Sequence, residues 1–443
     1  MLLLKTLLLF AVFCQVFSTY ENHRQKHAYE TLIEDLLKTD RYDNRVRPIR
    51  DPSLPINVTI SLALHVIENL DERKQVLTSR VELYQSWYDY QLRWNASQYG
   101  GIKVISVSSQ LVWTPDIFLY GQAEGRFGAG RKRNNAVVNY NGIVTLDYPA
   151  IFKTTCELII DKYPFDSQQC DIRLGSWVYD TRQLKLFLKE PSVNTKHYVP
   201  NGEWELKSAT MKLNEYNGSK ISWDSAVISF HLRRLALYHS MYYLIPCAMI
   251  GLMTIIVFVL PVNMNERMTV GLTLLIALSF FFLLMAENLP AIAKTIPIAA
   301  KYYTATTVLS AIAYFMTCIV LKCHFSNPLE GDAPNWIRVL VLDWIASIIF
   351  MKNKNEADND SDNEFAGRQL EDNNKKEFKK REMTKEERRS NSVIKNSVRL
   401  QATLDGRKEE WNKIAHVLNR LFMILYTSSF LLVTIMLLAS AVW

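Results

Sequence analysis

The chain of 443 residues is poor in the groups on which catalysis and metal binding depend, with six cysteines and eight scattered histidines. No Gly-rich phosphate loop, paired metal ligands or nucleophile motif occurs, so an enzyme is not expected, and neither is a metal or cofactor. A strong charge bias is also missing. Lys and Arg number 51 against 44 Asp and Glu, a formal charge of +7. The basic residues crowd between Lys352 and Lys413 with acids interleaved. That is the pattern of a solvated helix face, not of a phosphate-binding surface, and it argues against nucleic acid as a partner.

What is present is segregated into polar and apolar blocks, and a chain of this length suggests two or three structural units. Lys5 ahead of the apolar run from Leu7 to Phe13, with Ser18 soon after, reads as a cleaved secretory signal over residues 1–18, too short to span a bilayer. The mature amino end then faces outside. Residues 19–237 are polar enough for an exported domain. After a short amphipathic helix at Leu32, Ile33, Leu36 and Leu37, apolar residues alternate. They run Val58, Ile60, Leu62, Leu64, Val66, then Leu184, Leu186, Leu188, then Ile228, Phe230, Leu232. Strands of this kind, separated by Asp, Asn, Gly and Pro clusters, predict an all-β, immunoglobulin-like sandwich. Sequons at Asn57, Asn95 and Asn217 suit an exported domain. A fourth, at Asn359, falls in a segment expected inside the cell and is discounted.

Cysteine placement narrows the chemistry further. Cys14 leaves with the signal, while Cys247, Cys318 and Cys323 lie in or beside apolar runs, so the exported domain keeps Cys156 and Cys170. A lone pair in an oxidising compartment implies one disulfide. Two thiols with no nearby His make a metal site a poor rival.

Four apolar stretches have the length to cross a bilayer: Tyr242 to Leu260, Met268 to Met285, Tyr302 to Leu321 and Leu421 to Val442. The first three fall in a region of residues 238–321, and the fourth in residues 421–443. An even number of spans returns the carboxyl end to the outside. Residues 322–420 are then inside, where their abundance of Lys and Arg fits the positive-inside tendency. Within them Ile337, Leu340, Val341, Trp344, Ile345 and Ile348 form an amphipathic helix for the membrane surface. Asn353 to Asn374 is acidic, polar and expected to be disordered. The stretch from Lys375 to Asn419 is helix-prone and leads into the last span.

The span beginning at Glu266 is not uniformly apolar. At helical spacing Glu266, Thr269, Thr273, Ile276, Phe280, Leu283 or Leu284, and Glu287 share one face. Carboxylates at both ends would concentrate cations, hydroxyls would replace part of a hydration shell, and an apolar middle would close the path by dewetting. On this helix alone, Glu266 also suits a helix N-terminus and Glu287 a membrane interface. One helix cannot enclose a pore, so several chains are needed.

Cys156 and Cys170 enclose thirteen residues containing Tyr163, Pro164, Phe165 and Asp166, ahead of four spans with a long inner segment after the third. In this the chain resembles the Cys-loop, or pentameric, ligand-gated ion channels over nearly its whole length. The stretches Trp87-Tyr88-Asp89, Trp94-Asn95, Trp113-Thr114-Pro115-Asp116 and Gly202-Glu203-Trp204, and the run from Glu266 to Pro290, resemble nicotinic acetylcholine receptor subunits most. The resemblance implies an extracellular β-sandwich followed by a four-helix transmembrane bundle, a ring of five subunits, and the second span as pore lining.

It further implies cation selectivity. Glu266 follows Asn263, Met264 and Asn265 with no Pro-Ala insertion, making it the inner ring and Glu287 the outer one. Thr269, Thr273 and Leu284 line the same path, Ile276 stands at the gate position, and Phe280 is bulkier than the usual occupant. Glu72 and Arg234 match a coupling ion pair, while Pro164 and Phe165 would press on the link around Pro290 and Pro297. If that pair is partly buried, removing one partner should cost more than loss of a surface salt bridge; as a plain surface pair the two charges would contribute only about 0 to 1 kcal/mol.

Tyr120, Trp177, Tyr216 and Trp223 match the principal-face aromatic cage that holds a quaternary ammonium by cation–π attraction. The chain also departs from the pattern. The adjacent cysteine pair of α subunits is replaced by Gly218-Ser219, Glu82 stands where the complementary face offers tryptophan, and Asn217 would put a glycan at the cage mouth. The expected partners are other subunits in a pentamer, heteromeric by preference, a small-molecule neurotransmitter with acetylcholine leading, membrane lipid, and monovalent cations with calcium as a second candidate. The expected location is the plasma membrane, with both termini extracellular and a postsynaptic membrane as one setting. An accessory, non-conducting role in assembly, trafficking or membrane signalling remains the alternative.

Overall fold

Period-two alternation dictates the first half of the fold. In β1 (Ile56–Asp71) the side chains of Ile56, Val58, Ile60, Leu62 and Leu64 are buried, while those between them are half-buried or exposed. The computed structural model of the protein describes residues 25–123, 134–217, 221–264, 266–287, 295–326, 333–349 and 385–442. The expected signal segment, Gly218-Ser219, Pro290, the Asn353 to Asn374 stretch and its sequon lie outside the described residues. Two compact units result, one built on residues up to Tyr238 and one from His239 onward.

The first unit opens with α1, residues 25–36, whose Leu32 and Leu36 are fully buried. Nine further strands follow β1: β2 (Val76–Tyr88), β3 (Val104–Ser108), β4 (Ile117–Tyr120), β5 (Asn135–Asn139), β6 (Ile143–Thr155), β7 (Ser167–Ser176), β8 (Leu184–Leu188), β9 (Trp204–Asn217) and β10 (Ser222–Arg234). They form a six-stranded sheet in the order β3-β5-β6-β2-β1-β8 and a four-stranded sheet in the order β4-β7-β10-β9. Every pairing is antiparallel except β1 with β8. Val58, Ile60, Leu83, Val144 and Leu146 from one sheet, and Ile172, Leu174, Ile228 and Phe230 from the other, make up the core of a β-sandwich.

Cys156 follows β6 and Cys170 lies in β7, and the two are joined in a disulfide. Since those strands belong to different sheets, the bond staples the sandwich as well as closing the loop. In the chain-entropy account a closure of this length contributes roughly 3 kcal/mol.

The second unit is helical. Its elements are α2 (Leu237–Val259), α3 (Glu266–Glu287), α4 (Ile298–His324), α5 (residues 335–348) and α6 (Lys385–Val442). Among the described residues four helices, all but α1 and α5, are long and apolar enough to cross a membrane. Small residues let them approach closely. A Cβ on Gly251 of α2 would overlap the Phe430 ring of α6, and Tyr426 of α6 donates to the Gly251 carbonyl at 2.9 Å. Phe258, Ala313, Tyr426 and Phe430 form a cluster joining α2, α4 and α6.

The apolar set of α5 does not act as one face. Val341 and Ala346 are buried against Ile414 and Val417 of α6, with Ile337 and Ile345 packed beside them, whereas Leu340, Trp344 and Ile348 remain exposed. The apolar arc is wider than a single contact stripe, and α6 covers half of it. Arg338 secures the contact through Glu410 at 3.1 Å.

Candidate functional site

Three groups of side chains stand out once the strands and helices are placed. The first is aromatic. Strand β4 lies beside β7 with Ile117 opposite Ser176 and Tyr120 opposite Arg173, which brings the β4 rings to the loop after β7. Phe118 and Tyr120 then stand 5.1 and 5.9 Å from the Trp177 ring, centroid to centroid. Gly175 permits this, since a Cβ there would come within 3.1 Å of Tyr120 and 2.9 Å of the Asp224 carbonyl.

Asp116 fixes the loop. Its carboxylate accepts from the Ser176 hydroxyl at 2.6 Å and from the amides of Trp177 and Val178 at 3.1 and 2.8 Å, and Tyr120 donates to the Ser176 carbonyl at 2.6 Å. Trp177 is thereby presented at 65% exposure on a hydrogen-bonded loop. Burial, and then the Asp116 charge, pushes the Tyr120 phenol up, so it stays a neutral donor. Tyr216 and Trp223 face each other across β9 and β10, with Tyr216 70% exposed. The four aromatic residues therefore form two pairs in the same four-stranded sheet. Rings that are exposed at Trp177 and Tyr216 and half-buried at Tyr120 and Trp223 suit a cation. Sequence reasoning assigns no role to Asp116 or Phe118, although Asp116 closes the quoted Trp-Thr-Pro-Asp stretch.

On the other sheet Glu82, 42% exposed, has His65 at 3.5 Å. Asp147 is its neighbour. Burial, and then the charge of Glu82, pushes the Asp147 carboxyl up to about 6. Lys189 stacks over the adjacent Tyr84 ring at 4.6 Å. A carboxyl pair thus occupies the place where the resemblance calls for tryptophan.

The second group surrounds Arg234, the last residue of β10. Its guanidinium donates to Asp166 at 2.8 and 3.3 Å and to Glu72 at 2.5 Å, with Glu203 at 3.6 Å. The rings of Trp204 and Tyr163 lie 4.2 and 4.9 Å from its centre. Side-chain exposure is 0% for Arg234 and 1% for Asp166, so the surface-pair value does not apply. Burial pulls the Arg234 pKa down, but the Asp166 and Glu72 bonds outweigh it and the net direction is up. Burial, and then the Glu72 charge, raises Glu203. Of this node sequence reasoning reaches Glu72 and Arg234 alone. Tyr163, Asp166, Glu203 and Trp204 were legible only as parts of two quoted stretches. Nearby, Pro164 is buried and Phe165 half-buried.

The third group is the stripe on α3. Glu266, Thr269, Thr273, Ile276, Phe280 and Glu287 are exposed, while Arg267, Gly271, Leu278 and Met285 are buried against the other helices. At the open alternative, Leu283 is 57% exposed and Leu284 is half-buried. The Thr273 hydroxyl donates to the Val270 carbonyl at 2.9 Å, which satisfies its hydrogen and leaves the oxygen available. Of the sequons, Asn57 is exposed on β1, Asn95 caps a short 3-10 turn by accepting from Ser97, and Asn217 is the last residue of β9.

Comparison with known proteins matches this sequence to a family. Residues 29–236 match the neurotransmitter-gated ion-channel ligand binding domain, and residues 243–392 match the neurotransmitter-gated ion-channel transmembrane region. The chain is 31% identical to the neuronal acetylcholine receptor subunit non-alpha-2 of Carassius auratus, over 93% of this chain and 90% of that one. It is 34% identical to the subunit alpha-9-II of Oncorhynchus mykiss, over 73% of this chain and 58% of that one. It is 32% identical to the subunit beta-4 of Rattus norvegicus, over 74% and 66% respectively. The matched region thus spans less than two thirds of the last two relatives. The sandwich, the disulfide and the apolar helices agree with those matches, and the chain belongs to the neurotransmitter-gated ion-channel family, a family of membrane-spanning channels and not of enzymes, among subunits of the acetylcholine receptor type.

Proposed function

We propose that the chain is one subunit of a cation-selective channel, assembled as a heteromeric ring of five in the plasma membrane and opened by a neurotransmitter, with acetylcholine the leading candidate. The observation that carries this reading is the exposed stripe of α3, with a carboxylate at each end and Ile276 and Phe280 between, opposite a buried ridge. In a ring, this stripe and the corresponding faces of the other four subunits would meet at the axis. Glu266 and Glu287 would then raise the local concentration of monovalent cations and calcium, and the apolar middle would close the path by dewetting. Tyr120, Trp177, Tyr216 and Trp223 would receive the ammonium. The Arg234 node, together with Glu72, Pro164 and Phe165, would carry the change toward the membrane. Both termini would be extracellular, Asn57, Asn95 and Asn217 would carry glycans, and membrane lipid would surround the outer helix faces.

The accessory reading draws support from one observation, the Glu82 and Asp147 carboxyl pair, which offers no aromatic wall to a quaternary ammonium. The deciding experiment avoids the ligand. Ile276→Thr is expressed alone and with candidate partner subunits, surface delivery is confirmed, and resting current and reversal potential are recorded. A polar residue at that level dewets less readily, so a leak that reverses as cations require is expected. Silence with confirmed surface pentamers would favour the accessory role.

A further inference from the structure

The buried side of α3 carries a charge that the pore reading does not use. Arg267 directly follows Glu266, and its side chain is fully buried in the first turn of a helix whose other buried residues, Gly271, Leu278 and Met285, are uncharged. It donates through Nη2 to the Asn419 side-chain oxygen of α6, and the Asn419 amide nitrogen donates in turn to the Phe258 carbonyl of α2 at 2.8 Å. One asparagine therefore ties three helices together. Val262, Val320 and Ala415 form an apolar cluster on which Leu418 and Phe422, either side of Asn419 in sequence, are packed. Among the described residues, Nε and Nη1 of Arg267 have no hydrogen-bond partner, and no carboxylate pairs with the guanidinium.

A buried cation with one neutral partner is held at a substantial electrostatic cost, and the same cation would be far better solvated in water. Water is close at hand. Adjacent residues on a helix lie about 100° apart, so the exposed side of Glu266 is a short swing away for a side chain as long as arginine. A released guanidinium would neutralise the carboxylate proposed as the inner ring.

We propose that Asn419 is a selectivity-determining residue, which holds Arg267 inside the bundle and so keeps its positive charge off the pore mouth. The proposal rests on the pore reading given above. Asn419 contacts no permeating ion. It acts through Arg267 and is a positioning residue.

The test uses the full chain with its partner subunits in the Ile276→Thr background, with reversal potentials read in a salt-dilution gradient. Asn419→Leu, which deletes both bonds, shifts reversal toward the anion equilibrium potential. Asn419→Asp, which keeps an acceptor and adds a counter-charge, does not. Arg267→Gln combined with Asn419→Leu returns the cation value, because no charge is left to release, and a purely structural role for Asn419 would not give that rescue. Equal reversal for Asn419→Leu and its parent overturns the proposal.

A second measurement needs no current. In the full chain reconstituted in lipid nanodiscs, hydrogen exchange over residues 266–275 rises in Asn419→Leu and not in Asn419→Asp, while residues 280–287 are unaffected. Unchanged exchange overturns the placement of Arg267. Raised exchange in a chain that conducts in no variant leaves the tie intact and sinks the pore reading instead.

Discussion

Removing the charge of Arg234 should be among the most damaging single changes in the amino-terminal unit. The side chain is fully buried, as is Asp166, and Glu72 is 18% exposed. Arg234→Met leaves the buried Asp166 carboxylate without its cation and beside two further acids. Deleting one partner of a buried pair costs about 3 to 5 kcal/mol. Loss of the contacts with Trp204 and Tyr163 adds about 1 kcal/mol. For a domain of this size that corresponds to a fall in Tm of roughly 10 to 20 °C. Glu203→Gln should cost far less, since Glu203 lies 3.6 Å away and is 42% exposed. Its carboxyl is already pushed toward the neutral form. Arg234→Lys should fall between the two, because it keeps the charge but loses the fork that grips both Asp166 oxygens. Thermal unfolding of the full chain, followed by tryptophan fluorescence beside cell-surface yield, reads the series. If Arg234→Met and Glu203→Gln unfolded at the same temperature, the buried-node account would be refuted.

Two further outcomes follow from the carboxylates of the sandwich. The Asp147 carboxyl is raised from 3.8 to about 6, so its contribution to stability is fully present below pH 3.8 and is lost as pH rises through 6. Asp147→Asn should therefore stabilise the full chain at pH 7.5 by about 1 to 2 kcal/mol after allowance for solvent screening, read as a higher Tm, and leave it little changed at pH 4. A pH-independent effect would remove the Glu82 coupling. Asp116→Ala should loosen the loop that presents Trp177, because three hydrogen bonds disappear together. Acrylamide quenching of Trp177 should rise while Tm falls by only a few degrees, and an unaltered quenching constant would mean that the loop is held by other contacts.

The strands were legible because one face of each is buried, and burial of one face writes period two into the sequence. Val58, Ile60, Leu62 and Leu64 needed no tertiary information. The disulfide was legible for a different reason, since compartment and exclusion left a single pair. The partners of Arg234 were not legible from pattern. Glu72, Asp166 and Glu203 come from three separate segments and meet only after β10 is laid between β7 and β9. Arg267 was hidden for the opposite reason. A lone arginine at the end of an apolar span reads as a residue that reaches for water, and only the approach of Asn419, 152 positions later, explains how it stays inside. The splitting of the α5 apolar face likewise depends on Ile414 and Val417, which no local period announces.

The unbroken course of α6 makes it a drive shaft. Its 58 residues, at about 1.5 Å each, run roughly 87 Å, nearly three times the ~30 Å hydrocarbon thickness of a bilayer. No joint separates the charged stretch that begins before Val393 from the apolar stretch that begins at Leu421, and Gly406, the one glycine among its described residues, sits in helical register with open space around it. The charged stretch is therefore joined through one continuous helix to Asn419, Tyr426 and Phe430, which grip α2 and α3. Whatever grasps the polar end of that helix is geared directly to the apolar bundle.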